Sequence, residues 1–320
     1  MDKYNENQGT SKKELTGLSN SRLTAQGLVH LPKKIAVGFD RITVVGYLIE
    51  SREKQLKKHV ERDPRINLRD TGFDKFKAHA LDNKVYVEYD RRLAKQLNRS
   101  EIRVEFNPSK LSDEEKEFVQ FVFLNNMRGK EFSRIDLAFD LPIDLNDWYI
   151  MSDKSLKKTI FYGRNDKPET KYFGVRDSER YIRIYNKKLQ LNEVDKKEIE
   201  DEHLWRIEFE LKRSMTSKWD KCFDDLHILQ PNLSLINNFE EKAKLYYLIN
   251  EQSAWSEIHR NSKYKYRKKI KEISDINFSD VLRETLTNNH EKLRAELENY
   301  IAISHHDKLY NFDIKNLNLD

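Results

Sequence analysis

The stretch FSRIDLAFDLP, residues 132–142, alternates without a break. Arg134, Asp136, Ala138 and Asp140 fall on one side, and Ile135, Leu137, Phe139 and Leu141 on the other. A period of two marks a strand with one face in an apolar core and one face free for polar chemistry. LWRIEFELKR, residues 204–213, repeats the design, with Arg206, Glu208, Glu210 and Lys212 opposite Trp205, Ile207, Phe209 and Leu211. A third stretch, SERYIRIYNKK at 178–188, sets Tyr181, Arg183, Tyr185 and Lys187 at alternate positions around Ile182 and Ile184. If the three strands adjoin in one sheet, carboxylates, guanidinium groups and phenols gather on a single surface.

Working outward, FDRITVVGYL (39–48), KFKAHAL (75–81), KVYVEYD (84–90) and IRVEFNP (102–108) are short, rich in β-branched or aromatic residues and bounded by polar residues. They read as strands. A polar helix is expected from Ser51, and another after Ser112, where Ser112 and Glu115 form a capping box and Gly129 supplies a stop signal. From residue 132 the order repeats: the strand quoted above, a helical candidate at DWYIMSDKSLKK (147–158), then strands at KTIFYG, ETKYFGV, YIRIYNKK and LWRIEFELKR. FDRI and FSRI, at the openings of the halves, are their best local match. Beyond Ser214 the pattern turns helical, through SKWDKCFDDLHIL, a long run from Asn238 to Ile273, and FSDVLRETLTNNHEKLRAELENYIAI. The expected fold is α+β: two related antiparallel β-sheet units with packing helices, then a C-terminal helical domain. In residue terms, 1–29 is a flexible segment, 30–213 the sheet-bearing region with pseudo-repeats at 39–129 and 132–213, 214–310 the helical domain and 311–320 a tail.

Composition narrows the function classes. Of 320 residues, 35% are charged and 38% apolar, so the chain buries a core beneath a very polar surface. No leader-like or membrane-spanning apolar run is present, which predicts a cytoplasmic protein. Cys222 is the only cysteine and reads as structural. The nine histidines form no HxxxH or HxH pair, and no phosphate-cradling glycine loop exists, so zinc chemistry and nucleotide hydrolysis find no support. A net charge of +5 is too small to demonstrate nucleic-acid binding, but its distribution is uneven. Residues 262–273 concentrate Lys263, Lys265, Arg267, Lys268, Lys269 and Lys271 against Glu272, interleaved with Tyr264 and Tyr266. Such a segment either contacts phosphates or is simply a solvated helix. The stripe Leu282, Leu286, Leu293, Leu297 and Ile301 reads as core packing first and a dimer contact second.

The acidic faces admit two readings as well. They are either solvated strand surfaces with cross-strand ion pairs, or hard oxygen ligands for Mg²⁺ or Mn²⁺. Glu88 and Glu105 are further members if the halves meet. A tyrosine of pKa about 10 needs a cation, metal or base to act as a nucleophile at neutral pH. Arg183 lies about 7 Å from Tyr185 along a strand and is placed to stabilise a phenolate or a phosphate. His203 and Arg206 spell HxxR, the spacing used by tyrosine recombinases, although here the tyrosine candidate lies upstream.

At FSRIDLAFD, KPETKYFGVRDSERYIRIYNKK, EHLWRIEFELKR and CFDDLHIL the sequence resembles the Rep_trans family of rolling-circle plasmid replication initiators from Gram-positive bacteria, over about Ser19 to Leu293. The resemblance implies an enzyme that nicks one strand of its plasmid's double-strand origin, stays joined to the 5′ phosphate through tyrosine, leaves a 3′ hydroxyl primer and rejoins the ends later. It implies Tyr185 as nucleophile, with Tyr181 where relatives can carry phenylalanine. It further implies a divalent metal among Asp136, Asp140, Glu208 and Glu210, a homodimer, a PcrA-type helicase partner, and origin recognition through the C-terminal region around 262–290. Lys187 and Lys188 beside the nucleophile join the expected DNA contacts. A non-catalytic DNA-binding regulator and, more remotely, a metal-independent recombinase are the competing readings.

Overall fold

The computed structural model describes residues 35–302 apart from 147, 155, 165, 197–199 and 252. Ten of its strands build one sheet. The first half supplies β1 (Ala36–Leu48), β2 (Ile66–Gly72), β3 (Lys75–Ala80), β4 (Val85–Asp90) and β5 (Ile102–Phe106). The second half supplies β6 (Met127–Leu141), β8 (Lys158–Tyr162), β9 (Pro168–Phe173), β10 (Arg180–Asn186) and β11 (Trp205–Lys212). The order is β2-β3-β4-β5-β1-β6-β11-β10-β9-β8, every pairing antiparallel. Outward from the β1–β6 seam, both halves run the same way: opening strand, closing strand, then the inner strands in reverse. A smaller sheet, β13-β12-β7, joins β7 (Tyr149–Ser152) to β12 (Leu226–Pro231) and β13 (Ser274–Asn277).

The alternation decides which face is covered. Ile135, Leu137, Phe139, Leu141, Ile182, Ile184, Trp205, Ile207, Phe209 and Leu211 are all fully buried. Each such side chain contributes about 1.5–3 kcal/mol on burial. Segments from the C-terminal third cover this face: Phe223 packs 5.4 Å from both Phe139 and Phe209, Trp219 meets Phe39 edge-on, and Tyr300 meets Phe106. Of the stripe on the long helix Phe278–Ile301, Leu282, Leu286, Leu293 and Leu297 are buried within the chain, as the core reading expects, while Ile301 at its end is only half-buried. Sequestered apolar strips leave the opposite sheet face to polar side chains.

Several local expectations are corrected. The helix expected near 147–158 is instead the strand β7, whose four residues are all buried against β12. Two strands, β12 and β13, interrupt the stretch from Ser214 that reads as helical throughout, because LHIL completes the small sheet. The long helical run resolves into Phe239–Asn250, Ala254–Glu257 and Arg260–Glu272. Asn238 and His259 cap the first and third of these with side-chain hydrogen bonds. β2 and the helix Arg91–Leu97 add to the expected elements; β2 buries only Ile66 and so carries little apolar signal. The Ser112–Glu115 capping box is present, and its helix Asp113–Phe118 runs on through a π-helical turn, Val119–Phe123, and a 3-10 turn, Leu124–Asn126, before β6 begins; Gly129 therefore sits inside β6, with φ +58°, and not at the helix end. Segments 1–29 and 311–320 lie outside the described residues.

Candidate active site

β10, β11 and β6 are neighbours, so the three alternating stretches meet in register. Tyr185 stands opposite Arg206, which stands opposite Asp140; Arg183 opposite Glu208; and Tyr181 opposite Glu210, which faces Asp136. Opposite residues share a sheet face. The phenols, arginines and acids therefore lie on one surface, away from the helices that cover the core.

Within that surface the four expected metal acids form two groups. In the inner group, Arg134 makes a fork to Asp136 with both bonds at 2.7 Å and reaches Glu210 at 2.7 Å. Arg183 donates to Asp136 at 3.2 Å and to Glu208. Lys212 closes the group on Glu210 at 2.6 Å. Asp136, Glu208 and Glu210 are 0%, 1% and 4% exposed, so their charges are withdrawn from water and held by cations. In the outer group, Arg206 grips Asp140 at 2.5 and 2.7 Å and reaches Asp40 of β1 at 2.6 Å. Asp140 belongs with Arg206, not with Asp136.

Tyr185 lies between the groups. Its hydroxyl donates to Glu208 Oε2 at 3.5 Å, and Lys187 stands over its ring at 5.8 Å. Burial, and then the Glu208 carboxylate, push the Tyr185 phenol well above its ordinary value, with Arg206 pulling the other way. Glu208 is itself pushed up to about 7, chiefly by burial; Arg183 opposes this, while the carboxylates of Asp136 and Asp40 and a hydrogen bond with Asp136 add to it. Tyr181 has different surroundings: its ring stacks on Tyr172 at 5.5 Å. Arg183 Nε is buried without a hydrogen-bond partner among the described residues, a donor matched to an incoming oxygen.

Two adjoining buried carboxylates, Asp136 and Glu208, are the donor chemistry a hard dication takes when it fills its other positions with water and phosphate. Among the described residues no three His, Cys, Asp or Glu side chains converge as a metal cage. The pair would serve a hard dication as part of a ligand set, and not as an all-protein site.

The expected DNA-contacting cations lie elsewhere or beside this surface. Lys188 Nζ bonds the Asp201 carbonyl at 2.6 Å, and Lys187 bonds Gln190 at 2.9 Å. On the helix Arg260–Glu272, Arg267 stacks over Trp255, Lys271 pairs with Asp153 at 2.6 Å, and Lys268 and Lys269 lie near Glu272. Lys265 stands over the Tyr266 ring at 5.8 Å, and Lys263 lies one turn into the same helix. His203 pairs with Glu202 at 3.6 Å, while Arg206 of the same HxxR is gripped by Asp40 and Asp140. Sequence reasoning missed Asp40 as a site residue. Its signal, an acid beside the core residue Phe39 in FDRI, is too slight, because the register shift between Phe39 and Arg41 breaks the strand's period at that point.

A protein of Staphylococcus aureus described as "Replication initiation protein" is 45% identical over 295 residues, covering 92% of this chain and 94% of its own. The chain belongs to the replication initiation protein family. A second S. aureus family member is 46% identical over 283 residues, 88% of this chain and 90% of its own. Residues 41–127 match the RepD-like family described as "Replication initiation protein, N-terminal". A solved rolling circle replication initiator protein from Geobacillus stearothermophilus is similar over 64% of this family member and 90% of its own chain, with 13% identity and a TM-score of 0.40. No helix among the described residues is long and apolar enough to cross a membrane.

Proposed function

We propose that this replication initiator starts rolling-circle replication of its plasmid by cutting one strand of the double-strand origin with Tyr185. The observation that carries the reading is Tyr185 Oη aimed at Glu208 on a face shared with Arg183 and Arg206. The Tyr185 oxygen attacks the scissile phosphorus as its proton passes to Glu208 Oε2. The phosphorus–O3′ bond breaks, the 5′ phosphate stays on Tyr185, and the 3′ oxygen takes up a proton to become the primer hydroxyl. One ester replaces another, so rejoining at termination needs no ATP.

Asp136 and Glu208 would hold the divalent metal, Mg²⁺ or Mn²⁺, which when bound supplies positive charge to the phosphate oxygens. Arg183 offers its free Nε to a non-bridging oxygen, and Arg206 steadies the phenolate. The elevated Tyr185 phenol explains why cations must surround it. The reading assigns nicking to 30–213 and origin recognition to 214–310, with a homodimer and a PcrA-type helicase as the partners the family resemblance implies. The test is incubation with supercoiled DNA carrying the parental plasmid's origin, with and without Mg²⁺. A tyrosine-linked 5′ end mapped to Tyr185, absent in Tyr185→Phe, is expected. Unchanged nicking by Tyr185→Phe overturns the reading, and binding without any scission favours a regulator instead.

A further inference from the structure

Three aromatic side chains lie on the nucleophile's face: Tyr181 on β10 with Tyr185 itself, and Tyr172 and Phe161 on the two strands between β10 and the sheet's free edge. Tyr172 of β9 stands opposite Arg183, and Thr170 opposite Tyr185. On β8, the last strand, Phe161 stands opposite Thr170. Phe161, Tyr172 and Tyr181 therefore share the polar face. The Tyr172 and Tyr181 rings stack at 5.5 Å and 18°, and Phe161 meets Tyr172 edge-on at 5.6 Å.

Cross-strand ring pairing accounts for Tyr172 and Tyr181 as sheet stabilisers. Phe161 shares that pairing through its contact with Tyr172, yet it stays 54% exposed, an apolar ring left open on the edge strand of the face that carries the site's charged groups. Edge strands ordinarily carry polar residues outward, since exposed apolar edges invite pairing with other chains. A ring held in the open beside a DNA-cutting centre has an obvious use, because every nucleobase presents a π-face whatever its sequence.

We infer that Phe161, Tyr172 and Tyr181 form a stacking platform for unpaired bases of single-stranded DNA next to the phosphate that Tyr185 attacks. The inference rests on the proposed role of Tyr185. Tyr172 is diagonal to Tyr185, a separation of about 7–8 Å, so nucleotides flanking a phosphate at Tyr185 come within reach of the rings. Duplex bases cover their π-faces with one another, so the platform takes only a strand that has been unwound. It thus ties cutting to local melting of the origin.

The test uses a dye-labelled oligothymidylate of about 20 nucleotides and an abasic oligonucleotide of the same length, which keeps the phosphates and lacks the bases. The full-length protein should bind oligothymidylate more tightly than the abasic strand. Phe161→Ala and Tyr172→Leu should each weaken the first affinity by about 5- to 100-fold and leave the second near its wild-type value. Equal affinity of the variants and the wild type for oligothymidylate overturns the platform, as does equal loss on both strands. Phe161 is exposed at an edge, so Phe161→Ala carries the test if thermal melting shows Tyr172→Leu to be unfolded. Binding is read without metal and also in Tyr185→Phe, so failure of the platform is separable from failure of Tyr185 as nucleophile.

Discussion

Arg206 of β11 reaches across β6 to Asp40 of β1 at 2.6 Å, tying the closing strand of the second half to the opening strand of the first. The same guanidinium holds Asp140 with two bonds and stands opposite Tyr185. Two carboxylates fix its plane, so little reorganisation is needed when charge develops on the phenol.

Replacing Arg206 with Lys keeps a positive charge but loses the fork. The expected result is a fall of about 10²-fold in the rate of covalent attachment to origin DNA, with DNA affinity nearly preserved. Single-turnover cleavage set beside a binding titration measures both. Asp40→Asn should show a smaller fall in the same direction, since Asp140 still holds the guanidinium.

Arg183 is the shared cation of three buried acids. Arg183→Ala leaves the buried Glu208 without its cation, while Arg134 and Lys212 still hold Asp136 and Glu210; loss of one partner costs about 3–5 kcal/mol in comparable buried pairs. The midpoint of urea unfolding should drop accordingly. A conservative Arg183→Lys should recover part of the loss, and equal midpoints for wild type and Arg183→Ala would refute the electrostatic account.

Metal binding can be read without any DNA. Millimolar Mn²⁺ should raise the melting temperature of the wild-type protein, and Asp136→Asn or Glu208→Gln should abolish the rise. Asp140→Asn should leave it intact, because Asp140 sits with Arg206 in the other group. A rise lost in Asp140→Asn but kept in Asp136→Asn would move the metal to the outer group.

Away from the site, Asp225 accepts from Arg180 at 2.8 Å and from Ser152 at 2.8 Å, pinning β10 and β7 to the turn before β12. Burial tends to raise its pKa, yet the hydrogen bonds from Arg180 and Ser152 outweigh that and lower it from 3.8 to about 2. The folded value lies below the unfolded one, so this stabilisation is complete above about pH 4 and is lost as pH falls through about 2. The separation corresponds to about 2 kcal/mol. Asp225→Asn should be less stable than wild type at neutral pH, and the gap should narrow on acidification across that window in urea titrations.

Much of the site is legible in the order of residues. The alternation at 132–142, 178–188 and 204–213 marks Asp136, Asp140, Arg183, Tyr185, Glu208 and Glu210 as outward residues, and all of them share one face. Tyr181 and Tyr185 are equivalent by period; what distinguishes them is neighbours, Tyr172 for one and Glu208 for the other. By period the four acids form one set, yet in space they divide between Arg134 with Arg183 and Arg206 with Asp40. β7 has no legible signature because four consecutive buried residues show no alternation, its two faces being packed at once.

Which side chains share a face of each strand follows from local backbone geometry and needs no partner, so the residue order is enough to assign it. Resemblance to known initiators adds the family and the expected nucleophile. Which strands adjoin, in what register, and that Asp40 of the first half braces Arg206 of the second, emerge only from the folded chain. Pairing energies between strands distant in the chain depend on the whole packed core, and charge interactions fall with separation, so neither can be read from residue order alone.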